Sequence, residues 1–301
     1  CAILDNASIK CWGSNASGQL GLGDTDNRGD NSSEMGNYLP AVDLGSGRTA
    51  KAIAAGGSHT CVILDNSSIK CWGANASGQL GLGDTDNRGG NGNEMANLDT
   101  VDLGSGIIAK AIVAGGSHTC AILDDASLKC WGANATGQLG LGNTNNSANP
   151  SAVNMGSGIT AKAIVAGESH TCAILNNSAI KCWGEGEDGR LGTGKNRNEK
   201  SPPDSINDLG NGRTAMGITA GNAHTCAILD NSAIKCWGKN TYGQLGLGDT
   251  TNRESVSQLG DSLPVVDLGV GRTARGITAG DNQTCAILDN ASIKCWGANA
   301  S

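Results

Sequence analysis

The chain has 301 residues, of which 47 are glycine, none is phenylalanine and 3% are aromatic, while 38% are hydrophobic. This apolar content is too high for a disordered chain, and the formal net charge of −7 argues against nucleic acid as a partner, because phosphate binding needs a basic stripe. An apolar run of roughly 18 residues, which a membrane span would need, is absent.

The chain opens on the phrase CAILDNASIKCWG, which returns five more times with small changes. The copies begin 52 to 60 residues apart, at Cys1, Cys61, Cys120, Cys172, Cys226 and Cys285. We predict one repeat domain over residues 1–301, with units 1–60, 61–119, 120–171, 172–225 and 226–284 and a partial unit 285–301. Because the chain starts and stops within this pattern, we expect it to be a fragment of a longer protein.

Each unit contains about four strand-like patches. The two arms of the phrase, such as HTCAIL and SIKCWG, predict a hairpin around Asp-Asn-Ala or its variants. Further along each unit lie a short VDLG-type patch, which is a weak strand candidate, and the alternating patch AKAIVAG. No helical period is sustained, so we predict an all-β fold of four-stranded antiparallel blades, a β-propeller, with a β-solenoid as the alternative.

The segment HTCAILDNSAIKCWGKNTYGQLGLGDTTNR, residues 224–253, resembles the regulator of chromosome condensation repeat. The marks of that family are a Gly-x-x-His-Thr strand start, a Trp-Gly pair, Gly-Gln-Leu-Gly and Gly-Asp, and they recur along essentially the whole chain. The resemblance implies a propeller that is usually seven-bladed, of which we expect five to six blades here.

The two cysteines of each phrase are spaced Cys-x9-Cys around the predicted turn. Directly opposed strand residues lie ~4.5 Å apart at Cα, within reach of a disulfide, although the turn Asp5-Asn6-Ala7 lacks the glycine normally preferred at its third place. Buried free thiols and a zinc site that includes His59 are the alternatives, and Gln283 argues against zinc because it replaces the histidine where both cysteines remain. We predict the disulfides Cys1–Cys11, Cys61–Cys71, Cys120–Cys130, Cys172–Cys182, Cys226–Cys236 and Cys285–Cys295.

Disulfides would place the protein outside the cytoplasm, as a secreted, periplasmic or cell-surface protein. Within the family, the paired cysteines make the chain most similar to secreted bacterial members.

The histidines and tryptophans also recur in step with the repeat. We interpret His59, His118, His170 and His224 as structural residues bonded to backbone at a strand start, rather than as proton carriers or ligands. We expect the six tryptophans to pack between neighbouring blades rather than to line a sugar-binding groove: Trp12, Trp72, Trp131, Trp183, Trp237 and Trp296.

The segment Gly21–Glu34 carries Asp24, Asp26 and Asp30 at alternating positions, as a calcium loop does. An EF-hand loop needs glutamate at its twelfth place, where Met35 stands, and units that read GNTNNS and GDTTNR at this point do not keep the acids in step. We therefore predict no metal, no cofactor and no small-molecule ligand.

The fourth unit departs from its siblings, reading GEGEDGRLGTGKNRNEKS at residues 184–201. Its carboxylates could perform acid–base chemistry if they faced each other, and a solvated loop of drifted sequence is the simpler interpretation. As the segment that breaks the pattern, it is our candidate partner-contact loop, with Glu185, Glu187, Asp188, Arg190, Lys195 and Arg197.

These features favour a non-catalytic scaffold that binds an unidentified protein, because every repeated residue has a structural use and no catalytic set is visible. The alternative is a carbohydrate-binding or hydrolytic propeller that uses one rim or the channel. A guanine nucleotide exchange factor for a small GTPase, the role of the protein that names the family, fits the acidic, cysteine-paired chain less well.

Overall fold

The phrase folds as a β-hairpin in every unit. The computed structural model describes residues 1–204 and 207–299, so the last two positions of the predicted partial unit 285–301 lie outside the described residues. In each complete blade the alternating patch, the His-Thr-Cys or Gln-Thr-Cys arm and the Cys-Trp-Gly arm pair antiparallel in chain order. The alternation of small and branched apolar residues suits strands that are buried on one or both faces.

Six sheets are found in the described part of the chain, and each is one blade. The first blade has two strands, β1 (Ala2–Ile3) and β2 (Ile9–Lys10). The remaining strands are, in the second blade, β3 (Ala50–Ala55), β4 (His59–Leu64) and β5 (Ile69–Gly73); in the third, β6 (Ala109–Ala114), β7 (His118–Leu123), β8 (Leu128–Gly132) and β9 (Ser147–Ala152); in the fourth, β10 (Ala161–Ala166), β11 (His170–Leu175) and β12 (Ile180–Gly184); in the fifth, β13 (Ala215–Ala220), β14 (His224–Leu229) and β15 (Ile234–Gly238); and in the sixth, β16 (Ala274–Ala279), β17 (Gln283–Leu288) and β18 (Ile293–Gly297).

A fourth strand forms only in the third blade among the described residues, and it comes from a segment before the VDLG-type patch that was expected to supply it. In four other blades only a single β-bridge forms in place of this strand. It starts from the glycine of the Trp-Gly pair, as between Gly73 and Arg88. In the first and second units the bridging arginine is followed by a glycine with positive φ, Gly29 or Gly89, whereas the third unit reads SANPSA there and forms β9. Among the described residues, the VDLG-type patches form no strand. They lie along the hairpins through single hydrogen bonds, such as that from Val101 N–H to the Ile69 carbonyl at 2.8 Å.

Helices are rare, as expected, and the described ones are single 3₁₀ turns. None of them is long and apolar enough to span a bilayer. They lie at Gly36–Tyr38, Met95–Asn97, Glu187–Gly189, Val256–Gln258 and Gly260–Ser262.

The chain packs as two compact units. The first comprises Cys1–Asn134 with Asn145–Val153, and its core contains Trp131 and Leu80. The second comprises Ala135–Thr144 with Asn154–Ser301, and its core contains Trp237 and Leu191. These four side chains are 0–2% exposed, so tryptophan and leucine fill both cores in a protein without phenylalanine.

The first strand of each of the five later blades carries a β-bulge at its second residue. In the second blade, Ala50 pairs with Leu64 and Ala52 with Ile63, which leaves Lys51 without an opposing residue. The bulged residues are Lys51, Lys110, Lys162, Met216 and Arg275.

Candidate functional site

The cysteines of each phrase lie opposite each other across the hairpin. Cys61 is in register with Cys71, and the equivalent cysteines pair in the same way in the later blades. In all six pairs the Sγ atoms lie 2.05–2.09 Å apart and the Cα atoms 4.0–4.1 Å apart. These are the pairs named from the sequence, and sulfurs held in disulfides offer no thiolate to a zinc ion.

The hairpin turns adopt a conformation that usually requires glycine. Ser67 N–H donates to the Leu64 carbonyl at 2.9 Å, and the φ of Ser67 is 66°. A non-glycine residue in this left-handed region costs ~1–2 kcal/mol. The same conformation, with φ of 60–66°, recurs at Ala7, Ser67, Ala126, Ser178, Ser232 and Ala291. The three-residue loop therefore forms despite the missing glycine, and the disulfide across each hairpin offsets its cost.

A repeated set of polar contacts, here termed the junction, joins neighbouring blades. The Gln79 carbonyl of the second blade accepts from Thr119 Oγ1 at 2.8 Å and from Trp131 Nε1 at 2.9 Å, both on the third blade. The Thr119 hydroxyl also lies 2.9 Å from Nε2 of His59. A threonine and a tryptophan share one carbonyl in the same way at Gln19, Gln138, Arg190 and Gln244.

The junction geometry assigns the proton of His59. Because the Thr119 hydroxyl donates to Gln79, its oxygen accepts from Nε2–H of His59, and Nδ1 is left buried with no hydrogen-bond partner in the described residues. A second proton on Nδ1 would find no acceptor, and burial lowers the pKa of His59 and of His224 to about 4. Burial, with a smaller effect of the nearby His59, lowers the pKa of His118 to about 3. These imidazoles are neutral near pH 7, and the described partners of His59, His170 and His224 are threonine hydroxyls rather than the expected backbone.

The second glycine of Gly-Gln-Leu-Gly makes room for the indole of the next blade. A Cβ built on Gly81 would lie 2.8 Å from Nε1 of Trp131. Gly21, Gly192 and Gly246 stand in the same relation to Trp72, Trp237 and Trp296. Trp72, Trp131, Trp183 and Trp237 are 0–2% exposed, so these four pack between blades as expected. For Trp12 the expectation is wrong, because that side chain is 44% exposed on the first blade, which has no blade before it in the chain.

The lysine of each phrase has a structural function that the repeat pattern alone does not reveal. Lys70 is 6% exposed, and its Nζ donates to the carbonyls of Leu44 at 3.1 Å and Met95 at 3.4 Å. Burial lowers the pKa of Lys70, and the carboxylates of Asp43 and Asp99 oppose that shift. The equivalent Lys129, Lys181, Lys235 and Lys294 donate to carbonyls at 2.9–3.2 Å. The signal that could have found them is a lysine in all six copies of an otherwise apolar strand.

The acidic loops considered for calcium are closed by their own side chains. Asp84 forms an ion pair with Arg88 at 2.7 Å and accepts from Nδ2 of Asn75 at 3.0 Å. Asp24 is held in the same way by Arg28 and Asn15. The described residues contain no group of three or more His, Cys, Asp or Glu side chains that could hold a metal ion.

In the fourth unit, Arg190 replaces the glutamine of the junction while its carbonyl keeps the same function. The Arg190 side chain is 5% exposed, and its guanidinium pairs with the carboxylates of Glu185 and, at 3.4 Å, Asp188. Its Nε donates to the Glu187 carbonyl at 2.9 Å. Both carboxylates therefore face one guanidinium rather than each other, which does not provide an acid–base pair.

The rest of this loop reverses the charges of its siblings. Lys195 and Glu199 occupy the places that Asp84 and Arg88 hold in the second unit. Arg197 Nε donates to the Glu199 carboxylate at 3.1 Å and forms an ion pair with it. The six predicted contact residues divide into three exposed ones, two half-buried ones and one buried one: Glu187, Lys195 and Arg197, then Glu185 and Asp188, then Arg190.

A cavity of about 820 Å³ in the first unit brings Asp84, Glu94, Asp99 and Asp102 together. Clustered acids with exposed tryptophan would favour the hydrolytic alternative. However, Asp84 is paired with Arg88, Glu94 accepts from the Gly89 N–H at 2.8 Å, and Asp102 accepts from the Gly104 N–H at 2.8 Å. Three of the four carboxylates thus hold loop backbone or an arginine in place, and the described lining contains no tryptophan.

Comparison with known proteins places this geometry in a family. The chain matches the RCC1-like domain over residues 8–301. The ultraviolet-B receptor UVR8 of Arabidopsis thaliana is 29% identical over 291 residues, which cover 96% of this chain and 60% of the receptor. The probable E3 ubiquitin-protein ligase HERC4 of Homo sapiens is 34% identical over 202 residues, which cover 67% of this chain and 18% of the ligase.

Among solved structures, the crystal structure of Kap60 bound to yeast RCC1 superimposes with a TM-score of 0.76 at 19% identity, covering 96% of this chain and 64% of that chain. This chain therefore spans only part of the length of each of these proteins. Because the family match covers residues 8–301, and therefore nearly the whole chain, the chain belongs to the RCC1-like domain family and has its β-propeller fold.

Proposed function

We propose that the chain is a non-catalytic scaffold that binds a protein partner in an oxidising compartment outside the cytoplasm. The observation that carries this proposal is that the repeated polar residues form structural contacts. Threonine, tryptophan and the phrase lysine are committed to contacts within or between blades. What differs from unit to unit is loop surface, which is where a scaffold varies its recognition.

The relatives support a protein as the partner. Yeast RCC1, whose fold this chain shares, has been solved bound to the protein Kap60. The acidic net charge of −7 disfavours a nucleic-acid partner, because nothing on the chain forms the basic stripe that phosphates require.

The disulfides support the proposed compartment. Six pairs with no free cysteine are typical of proteins that fold in oxidising surroundings, since cytosolic thiol buffers keep such pairs reduced. A bacterial, secreted origin belongs to this proposal as well.

The candidate contact residues are the exposed members of the fourth-unit loop, Glu187, Lys195 and Arg197. They carry charges where the second unit has Ala76, Asp84 and Asp86, so they give this blade a surface of its own.

A photocrosslinking experiment tests the scaffold. Arg197→p-benzoylphenylalanine is introduced into the full chain in its native host, with Asp86→p-benzoylphenylalanine as the control at the matching place of the second unit. We expect a protein adduct at Arg197 and none at Asp86. The absence of adducts at both positions, or equal and unspecific crosslinking at both, would contradict a specific contact at this loop.

Thiol trapping tests the compartment. Alkylation of protein taken directly from its host should modify none of the 12 cysteines before reduction and all of them afterwards. Labelling before reduction would place the protein in a reducing compartment.

A further inference from the structure

Most cations of this protein have a structural partner. Among the 21 lysine and arginine side chains, the six phrase lysines donate to carbonyls. Nine others form ion pairs within the described residues. The remaining six are exposed: Lys51, Lys110, Lys162, Lys195, Lys200 and Arg275.

Four of these six cations occupy one structural position, the β-bulge of the first strand in a blade. The fifth bulge carries Met216, which is 66% exposed. A bulge redirects the side chain of its extra residue, and here it directs a long cationic or apolar side chain into solvent. Lys51 donates to Ser67 Oγ at 3.2 Å and Lys110 donates to the Asp124 carbonyl at 3.2 Å. The position is nevertheless exposed and mostly basic in an acidic chain.

In the second compact unit, two such bulges border a groove between β13 and β16. The groove has a volume of about 560 Å³, and its lining includes Met216, Arg275 and the isoleucines Ile218, Ile228 and Ile277. Asp230 also lines it, but Arg213 pairs with that carboxylate at 3.3 Å. Arg275 forms no ion pair among the described residues, so it is the uncompensated charge of the groove.

A glycine, Gly217, opens this groove. Gly217 and Gly276 occupy the strand position that holds alanine in the second, third and fourth blades, namely Ala52, Ala111 and Ala163. A Cβ on Gly217 would lie 3.6 Å from Ile228 Cδ1, and one on Gly276 would lie 3.7 Å from Ile287 Cδ1. Both distances are ordinary contacts, so alanine would fit at either position. Only the methyl group at position 217 would fill space in the groove, because Ile228 lines the groove and Ile287 does not.

We propose that the groove between β13 and β16 binds an extended acidic peptide segment of a partner protein. One apolar side chain of the segment lies against the isoleucines and Met216, while a carboxylate pairs with Arg275. Lys162, on the strand β10 that adjoins β13, extends the basic surface. The inference rests on the proposed scaffold function and names the chemistry of its partner. Charge complementarity selects the acidic segment, because an unpaired cation beside an apolar surface attracts carboxylates in a chain that otherwise repels them.

The test uses two fluorescein-labelled ten-residue peptides, one alternating Glu and Leu and one alternating Lys and Leu, with binding to the full chain followed by anisotropy at low salt. We expect the Glu-Leu peptide to bind and Arg275→Gln to weaken it about threefold to fivefold. The variant Gly217→Ala should weaken it about threefold or more, because the added methyl group fills part of the groove. Lys200→Gln makes the same charge change on the fourth-unit loop and should leave the affinity unchanged.

Three results would contradict peptide binding in the groove. The first is no binding of the Glu-Leu peptide at about 1 mM protein. The others are equal binding of the Lys-Leu peptide, and an unchanged affinity for the Glu-Leu peptide in the groove variants. Met216→p-benzoylphenylalanine separates this failure from failure of the scaffold. Adducts at Arg197 with none at Met216 contradict the groove alone, and adducts at neither position contradict both.

Discussion

Acidification should destabilise the fold through the junction histidines. The pKa of His59 is about 4 in the folded protein, below the ordinary 6.5 of an unfolded chain. The unfolded state therefore binds a proton more readily, and stability is present above pH 6.5 and is lost as the pH falls toward 4. His224 follows the same course, and the loss continues further for His118, whose folded pKa is about 3.

The size of the effect follows from these values. Between pH 7.5 and pH 5, a histidine with a folded pKa of about 4 loses about 2 kcal/mol of stabilisation. For His59, His118 and His224 together the loss is about 6 kcal/mol, which is comparable to the whole stability of many domains.

The assay is urea unfolding without reductant at pH 7.5 and pH 5, followed by tryptophan fluorescence. His59→Gln should reduce the difference between the two pH values by about 2 kcal/mol. The sixth blade supplies the control, because Gln283 stands at the histidine position and is exposed. Gln283→His should add almost no pH dependence, since an exposed imidazole keeps its ordinary pKa. An unchanged pH dependence in His59→Gln would refute the assignment of a neutral, buried imidazole.

Three further variants test the turns, the tryptophan packing and the fourth-unit loop. Ser67→Gly should raise the unfolding free energy by about 0.5–1 kcal/mol, because glycine relieves a φ of 66° at some cost in chain entropy, and a lower urea midpoint would contradict the left-handed turn. Gly81→Ala should cost about 2–4 kcal/mol, but Gly248→Ala, with a similar φ and open space around it, only about 1–2 kcal/mol. Equal losses of unfolding free energy in the two variants would contradict the packing of Gly81 against the Trp131 indole. Arg190→Gln should cost about 1–3 kcal/mol, and less in a Glu185→Ala background; strictly additive effects in this double-mutant cycle would show that the two side chains are not coupled.

The hairpins could be predicted from the sequence because their contacts are local. Cys61 and Cys71 are separated by 10 residues, and the alternating arms around them set one register, so the pairing follows from spacing alone. Repetition likewise indicated that the tryptophans have a structural function. The left-handed turn at Ser67 contradicts the sequence preference for glycine, since the disulfide and the strand register impose a conformation that the residue itself disfavours.

Other features required the tertiary structure. His59 and Thr119 are 60 residues apart, and Gln79 and Thr119 are 40 residues apart, so the order of the sequence does not reveal that they form one junction. The same holds for Ile228 and Arg275, which line one groove from two blades.

The sequence by itself determined the repeat period, the hairpins and the cysteine pairs. The period is visible in the repeated phrase, and each hairpin and disulfide joins residues about ten positions apart. Only the tertiary structure decided which carbonyl each indole meets, which cations are uncompensated and where a groove opens. Those properties arise from contacts between blades, whose spacing along the chain carries no information about which side chains face each other.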